Sequence, residues 1–212
     1  GAETGTGAGA AAMSFEDAVA KTYMARVSLS ATGFYATPKI EWDRIKGHGR
    51  PFFYFAYGAA CSEVVIDTLT GENRILRTDI IHDAGRSLNP ALDLGQVEGG
   101  FVQGAGWLTM EELVWDGAGR LRTHAPSTYK IPCASDAPDI FNVALWDGPN
   151  REDTIYRSKA VGEPPFMLGV SVFSALGNAC AATGPDFPDL QAPATAEAVL
   201  AAVGRAQGRA RT

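Results

Sequence analysis

Apolar positions recur with clear periods along most of the chain, and they predict several helices and strands. A helical period begins after Ser14, whose side chain suits an N-cap, and continues to about Val27. β-Branched runs over 62–69 and 74–82 flank a Thr-Gly-Glu-Asn turn and predict a β-hairpin. The aromatic run over 51–57 is typical of another strand.

The second half of the chain predicts longer helices between shorter extended pieces. Asn89 followed by Pro90 provides an N-cap and a proline in the first turn for a helix that continues to about Leu113. The other predicted elements are a hairpin over 114–123, a strand over 139–146 with a candidate partner at 154–157, a buried helix over 164–182, and an alanine-rich helix over 195–203. Hairpins mixed with long helices, without regular alternation of strand and helix, predict an α+β fold with mixed sheets.

Composition narrows the classes of partner. The chain has 212 residues, 46% of them hydrophobic, so it can bury a sizeable core. A net charge of −6 without a basic cluster argues against nucleic acid and against an anionic membrane surface as partners. No run of eighteen apolar residues and no signal-peptide pattern is apparent, so the sequence predicts a cytoplasmic protein. The 3 cysteines form no metal-binding or disulfide pattern.

The N-terminal residues are almost entirely glycine, alanine and threonine. This composition predicts a linker or a truncated glycine-rich loop over residues 1–13, with the domain itself over 14–212. The chain is therefore predicted to be one piece of a larger polypeptide.

Glu163 stands between a glycine and a proline-headed apolar segment, in the order AVGEPPFMLG. A carboxylate desolvated by such neighbours has its pKa raised toward the range in which a general base works. Lys159 acts in the opposite direction, because a nearby cation lowers a carboxylate pKa. The alternative interpretation is a loop glutamate that is solvated, paired, or capping the following helix.

A glycine-rich helix, GQVEGGFVQGAG over 95–106, is the second unusual feature. Each glycine inside a helix costs roughly 0.5–1 kcal/mol relative to alanine, so close contact must offset that cost. The partner is either another backbone or a flat ligand, and the pattern alone favours neither. Gln96 and Gln103 could hydrogen-bond a buried cofactor, although each is equally well interpreted as a solvated or interhelical amide. His82, at the end of an apolar strand, is better explained as a hydrogen-bonded structural histidine than as a ligand.

Several segments together resemble one known family. They are SLSATGFY over 28–35, LNP over 88–90, the glycine-rich stretch over 95–106, PSTYKIP over 126–132 and SKAVGEPPF over 158–166. The chain resembles the C-terminal part of the molybdenum-cofactor domain of xanthine dehydrogenase and of its oxidase and aldehyde-oxidase relatives. The resemblance extends from about residue 14 to 182, and it implies that the α+β fold is part of a larger molybdopterin-binding domain.

The resemblance also implies site residues and a reaction. Glu163 matches the catalytic base, which takes a proton from a hydroxide on molybdenum, and Gln96 matches a glutamine close to the cofactor. No residue of this chain is implied as a metal ligand. The implied reaction is oxidative hydroxylation of purines, from hypoxanthine to xanthine to urate.

Other implied components lie outside this sequence. They are the remaining part of the molybdenum domain and an iron–sulfur and flavin subunit or domain with 2Fe-2S clusters and FAD, which passes electrons to NAD. The whole assembly is expected to be a homodimer. Two alternatives stay open: an aldehyde oxidase or other hydroxylase of the same family, and a non-catalytic scaffold subunit.

Overall fold

The computed structural model describes residues 13–209, which belong to two compact units divided between Pro51 and Phe52. The predicted linker over 1–13 lies outside the described residues except for Met13, so that boundary stays a prediction.

The N-terminal unit contains one helix and one small hairpin. Helix α1 spans Phe15–Met24, and the Ser14 hydroxyl accepts a hydrogen bond from the Asp17 N–H at 3.1 Å, as the capping pattern predicts. Strands β1, Glu41–Asp43, and β2, His48–Arg50, pair antiparallel. No residue between 13 and 51 is buried, so the described part of this unit has no core of its own.

A three-stranded mixed sheet organises the second unit. Strand β3, Gly58–Ile66, and strand β4, Asn73–His82, form the predicted hairpin, with a bulge between Glu63 and Val64. Strand β5, Ile140–Leu145, adds to β4 in parallel, so β4 is the central strand. Helix α2, Pro90–Thr109, lies between β4 and β5 in the chain and begins at Asn89, whose side chain accepts from the Leu92 N–H.

The C-terminal part provides two more helices and one 3-10 turn. The predicted helix over 164–182 is divided into a 3-10 segment, Pro164–Gly169, and helix α3, Val170–Ala181, because the paired prolines begin a tighter turn. Helix α4 spans Ala196–Ala206. By length and mean hydropathy, 1.2 over 18 residues, Pro164–Ala181 could cross a membrane. In this structure its apolar residues include part of the core, so it is explained as a core element.

The core lies where α2, α3 and α4 meet the sheet. Its fully buried side chains come from all three helices and the central strand, and they include Ile80, Val97, Phe101, Val172, Leu176, Cys180, Val199 and Val203. The Phe101 ring packs against the Phe141 ring of β5, with centroids 5.3 Å apart. Helices on a mixed sheet confirm the predicted α+β class.

The segment over 114–123 forms the predicted hairpin turn, with an antiparallel bridge between Trp115 and Leu121 and a hydrogen bond from the Arg122 N–H to the Val114 carbonyl at 2.7 Å. Two other sequence predictions of extended structure were wrong. The aromatic run over 51–57 is irregular, and its rings contact one another instead of alternating across a sheet. Residues 154–157 do not pair with β5; they form a 3-10 turn in which Tyr156 has a positive φ of 54°.

Glycines of α2 let it pack directly on the backbone of the 3-10 segment. A Cβ at Gly104 would clash with the Phe166 carbonyl, and a Cβ at Gly100 would lie 3.1 Å from the Pro165 Cβ. From the other side, a Cβ at Gly169 would come within 2.5 Å of the Ala105 nitrogen. The helix and the segment are therefore in backbone contact, which is the packing interpretation of the glycine-rich helix.

Gly104→Ala is expected to destabilise the protein by about 1–3 kcal/mol, because the new methyl group meets backbone that cannot move aside as a side chain would. The matched control is Gly177→Ala in α3, where a Cβ meets nothing within 4 Å. The control should be neutral or stabilising by about 0.5–1 kcal/mol. Thermal melting of the whole protein measures both, and equal melting temperatures for the two variants would contradict the packing argument.

Candidate functional site

The contact between α2 and the 3-10 segment brings the two predicted site residues together. Gln96 lies one turn before Gly100 in α2, and its Oε1 is 3.3 Å from the position of a Cβ added to Gly162. A Cβ added to Gly100 would lie 3.5 Å from the Gly162 carbonyl oxygen. Glu163 follows Gly162 directly, so its backbone lies close to Gln96.

Glu163 begins the 3-10 segment without capping it. Its backbone is helical, with φ −92° and ψ −40°, and its carbonyl accepts from the Phe166 N–H at 3.0 Å. Its side chain caps nothing and is exposed. Among the described residues the carboxylate has no hydrogen bond or ion pair, so the capping and paired forms of the alternative interpretation are not seen, whereas a solvated loop glutamate agrees with the exposed side chain. The expected apolar enclosure of the carboxylate is likewise not formed by residues 13–209.

The Lys159 ammonium forms an ion pair with Asp83 instead of with Glu163. Its ammonium lies 2.6 Å from the Asp83 carboxylate and donates to the Phe55 carbonyl at 2.9 Å. It also lies 5.1 Å from the centroid of the Tyr57 ring. The Lys159 side chain is only 6% exposed. Its charge is therefore matched by Asp83, an interaction that the sequence analysis missed because nothing in the spacing links the two residues.

The chain before Lys159 has a strained backbone that its neighbours hold in place. Tyr156 and Arg157 have positive φ angles of 54° and 59°, a conformation that costs roughly 1–2 kcal/mol for each residue other than glycine. The Arg157 carbonyl accepts from the N–H groups of Arg86 and Asn150, both at 2.9 Å. Gly85, at φ +62°, lets this carbonyl approach where a Cβ would crowd it.

Part of the glycine-rich helix remains open beside the site. A Cβ at Gly95 or Gly99 would meet nothing within 4 Å among the described residues, and Gln96 and Gln103 are both exposed. The two interpretations of this helix therefore apply to different glycines. Gly100 and Gly104 pack against protein backbone, whereas Gly95 and Gly99 leave bare helix surface next to Gln96.

His82, the last residue of β4, is buried next to this site. It is 1% exposed, and neither ring nitrogen has a hydrogen-bond partner. A Cβ on Gly58 would lie 2.9 Å from its Nδ1 and 3.2 Å from a methyl group of Leu168. Burial lowers the pKa of His82; the Lys159 charge acts in the same direction and Asp83 opposes it. The histidine is buried as predicted, but the prediction that it is hydrogen-bonded was wrong.

The site offers groups for an organic cofactor. Within the described part of the chain, no cluster of three His, Cys, Asp or Glu side chains could hold a metal ion. An amide, an unpaired carboxylate and bare helix backbone are the groups available around Gln96. They can form hydrogen bonds with a bound group, and the glycines allow a flat group to approach closely.

Comparison with known proteins identifies the class. The model of the molybdopterin cofactor-binding domain family matches residues 2–138. Xanthine dehydrogenase/oxidase of Felis catus is 52% identical over 88% of this chain, and xanthine dehydrogenase of Dictyostelium discoideum is 52% identical over 84%. The solved aldehyde oxidoreductase of Desulfovibrio desulfuricans aligns with a TM-score of 0.62 and 26% identity, over 74% of this chain and 16% of its own.

The chain belongs to the molybdopterin cofactor-binding domain family. The predicted resemblance to the molybdenum hydroxylases of the xanthine dehydrogenase type is confirmed by these relatives. The chain spans about a seventh of the curated relatives, 15% of the first and 14% of the second.

The buried, unpaired His82 predicts a loss of stability in acid. Its pKa is lowered in the folded state, whereas the unfolded chain titrates near about 6.5, so the unfolded chain binds more protons as the pH falls. The stability from this site is therefore complete above about pH 6.5 and is lost as the pH falls toward the folded pKa.

His82→Leu should remove this contribution, so the melting temperature should fall less between pH 7.5 and pH 5 than in the unmodified protein. His124→Leu, at an exposed histidine, is the control and should keep the original dependence. Identical pH dependence in His82→Leu and in the unmodified protein would contradict the prediction.

Proposed function

We propose that this chain supplies the catalytic carboxylate and part of the cofactor contact surface of a molybdenum hydroxylase. Glu163 is the general base, and Gln96 lines the molybdenum–molybdopterin cofactor. The observation that supports the proposal is that Gln96 lies against Gly162, the residue before Glu163, while the Gln96 amide and the unpaired Glu163 carboxylate are both exposed.

The geometry of Glu163 supports its role as a base. A carboxylate can accept a proton from a reacting group only if its oxygens are not already engaged, and no described residue binds those of Glu163. A base must also be held in place, and the backbone of the 3-10 segment is fixed on α2 immediately after it. When bound, the cofactor supplies the redox chemistry and takes up the two electrons removed from the substrate carbon.

Gln96 supports the cofactor assignment. Its side-chain amide has both donor and acceptor capacity, which suits the polar edge of an organic cofactor. It projects from a helix whose neighbouring glycines, Gly95 and Gly99, carry no side chain to prevent close approach. These features also argue against the alternative of a non-catalytic scaffold subunit, because packing alone requires neither the open glycines nor an unpaired carboxylate.

We propose purines as the substrate, with hypoxanthine oxidised to xanthine and then to urate. The support is the 52% identity to proteins named xanthine dehydrogenase, set against 26% to the aldehyde oxidoreductase. An aldehyde oxidase or another hydroxylase of the same family is the second candidate. The proposal extends to the rest of the assembly, with 2Fe-2S clusters and FAD passing electrons to NAD in a cytoplasmic homodimer.

Glu163→Gln in the whole protein is expected to abolish turnover or to lower kcat by at least about 100-fold, because the amide cannot accept the proton. Bound molybdenum should stay at the level of the unmodified protein, since Glu163 is not required to hold the cofactor. The control is Glu112→Gln, another exposed glutamate, which should keep normal turnover. Near-normal turnover by Glu163→Gln would refute the assignment of the base.

The substrate proposal is tested by steady-state assays of the whole protein with hypoxanthine and with an aromatic aldehyde, at equal molybdenum content. A purine hydroxylase should show the larger kcat/KM with hypoxanthine by at least about tenfold, since discrimination between substrates follows differences in transition-state binding. A preference for the aldehyde would favour the second candidate.

A further inference from the structure

The chain around Glu163 is held on both sides, and by different means. After the carboxylate, the 3-10 segment is fixed by backbone contact with Gly100 and Gly104. Before it, Val161 packs against the hydrophobic core, and the nearest polar side-chain anchor is Lys159, four positions earlier, whose ammonium is paired with Asp83 at 2.6 Å. Asp83 directly follows β4, the central strand, so this anchor joins the segment to the sheet.

Backbone bonds reinforce the same anchor. The Lys159 N–H donates to the Ala84 carbonyl at 2.8 Å, and the Ala160 N–H donates to the Tyr54 hydroxyl at 2.9 Å. Asp83 is itself oriented, because its other oxygen accepts from the Gly85 N–H at 2.8 Å. Only Val161 and Gly162 separate this fixed stretch from Glu163.

Stability alone does not account for an ion pair at this place. The Lys159 and Asp83 side chains are 6% and 18% exposed, and burying two charges removes most of the benefit of pairing them. Apolar residues of similar volume often stabilise a buried position equally well or better. An ion pair contributes geometric specificity instead, because its short hydrogen bonds fix the position of the lysine side chain and of the backbone that carries it.

We propose that Lys159 and Asp83 are positioning residues for Glu163, with their part-buried ion pair fastening the chain before the carboxylate to the end of β4. The proposal rests on the assignment of Glu163 as the base. Neither residue reacts with the substrate. Without the pair, the chain before Glu163 keeps the Ala160 hydrogen bond and the Val161 packing but loses its side-chain link to the end of β4, so the carboxylate is held less precisely.

The expected effect follows from the sensitivity of catalysis to geometry. A misplacement of about 1 Å can cost about 100-fold in rate. Lys159→Met in the whole enzyme should therefore lower kcat per bound molybdenum by about 10- to 100-fold, while KM changes by less than about threefold because substrate contacts are untouched. The matched control is Arg74→Met, which breaks an ion pair of the same 2.6 Å length with Asp139 on the exposed surface and should leave kcat unchanged.

A second background separates positioning from a merely structural role. In the Glu163→Asp variant the side chain is shorter by one methylene, so the carboxylate is already displaced. A residue that acts only by positioning this carboxylate should therefore have a smaller effect on kcat in that variant. Lys159→Met should then lower kcat by less than about fivefold in that background. An equal factor in both backgrounds would show that Lys159 acts independently of Glu163 and would overturn the proposal.

A further variant covers the case in which Lys159→Met fails to fold, since it leaves the Asp83 charge buried and unpaired. Lys159→Met combined with Asp83→Leu removes both charges and should melt near the unmodified protein. Reduced kcat in that folded double variant supports positioning, and unmodified kcat overturns it. If the double variant and Glu163→Gln both keep normal turnover, the assignment of Glu163 as the base has failed as well. If the double variant keeps normal turnover but Glu163→Gln does not, the assignment of the base stands and only the positioning role is refuted.

Discussion

The direct contact between the backbone of α2 and that of the 3-10 segment is the constraint on which the rest of the site depends. Gly100 and Gly104 have no side chain, so the carbonyl of Phe166 can lie against the helix itself. Glycines inside a helix weaken it, and this close packing offsets that cost. The contact aligns two segments far apart in sequence, and it places Gly162 beside Gln96. The proximity of Gln96 to the residue before Glu163 follows from that alignment.

The same contact helps to hold the backbone at Glu163 in place while the carboxylate oxygens stay unengaged. A carboxylate that is to accept a proton needs unengaged oxygens, yet an unengaged side chain is normally mobile. Here the order is supplied by the backbone on either side, through the packed glycines on one side and the Lys159–Asp83 pair on the other. Under the proposed function, the side chain is therefore free to react while its attachment point is fixed.

The sequence predicted those features that depend on local residue patterns. The Asn89 cap, the β3–β4 hairpin and the α+β class are confirmed because caps, turns and apolar periods are local properties. The aromatic run over 51–57 was misassigned because its rings pack on one another, which a strand pattern does not distinguish. The Lys159–Asp83 pair was missed for a different reason: it joins distant parts of the chain, and only the fold brings them together. Gln96 and Glu163 were singled out by residue pattern, which left each of them ambiguous, and the roles that the family resemblance gave them stay predictions.

The division of tasks between this chain and the rest of the protein follows from the exposure of Glu163. A general base works better when its carboxylate is partly desolvated, but residues 13–209 leave that carboxylate exposed. The open surface at Gly95 and Gly99 lies beside Gln96, on the side where the cofactor is proposed to bind. Under the proposed function, the cofactor and the remainder of the protein complete the enclosure, whereas this chain determines position. Precise placement requires rigid packing within one fold, while desolvation requires only that another surface cover the group, so the two tasks can be assigned to different parts of one enzyme.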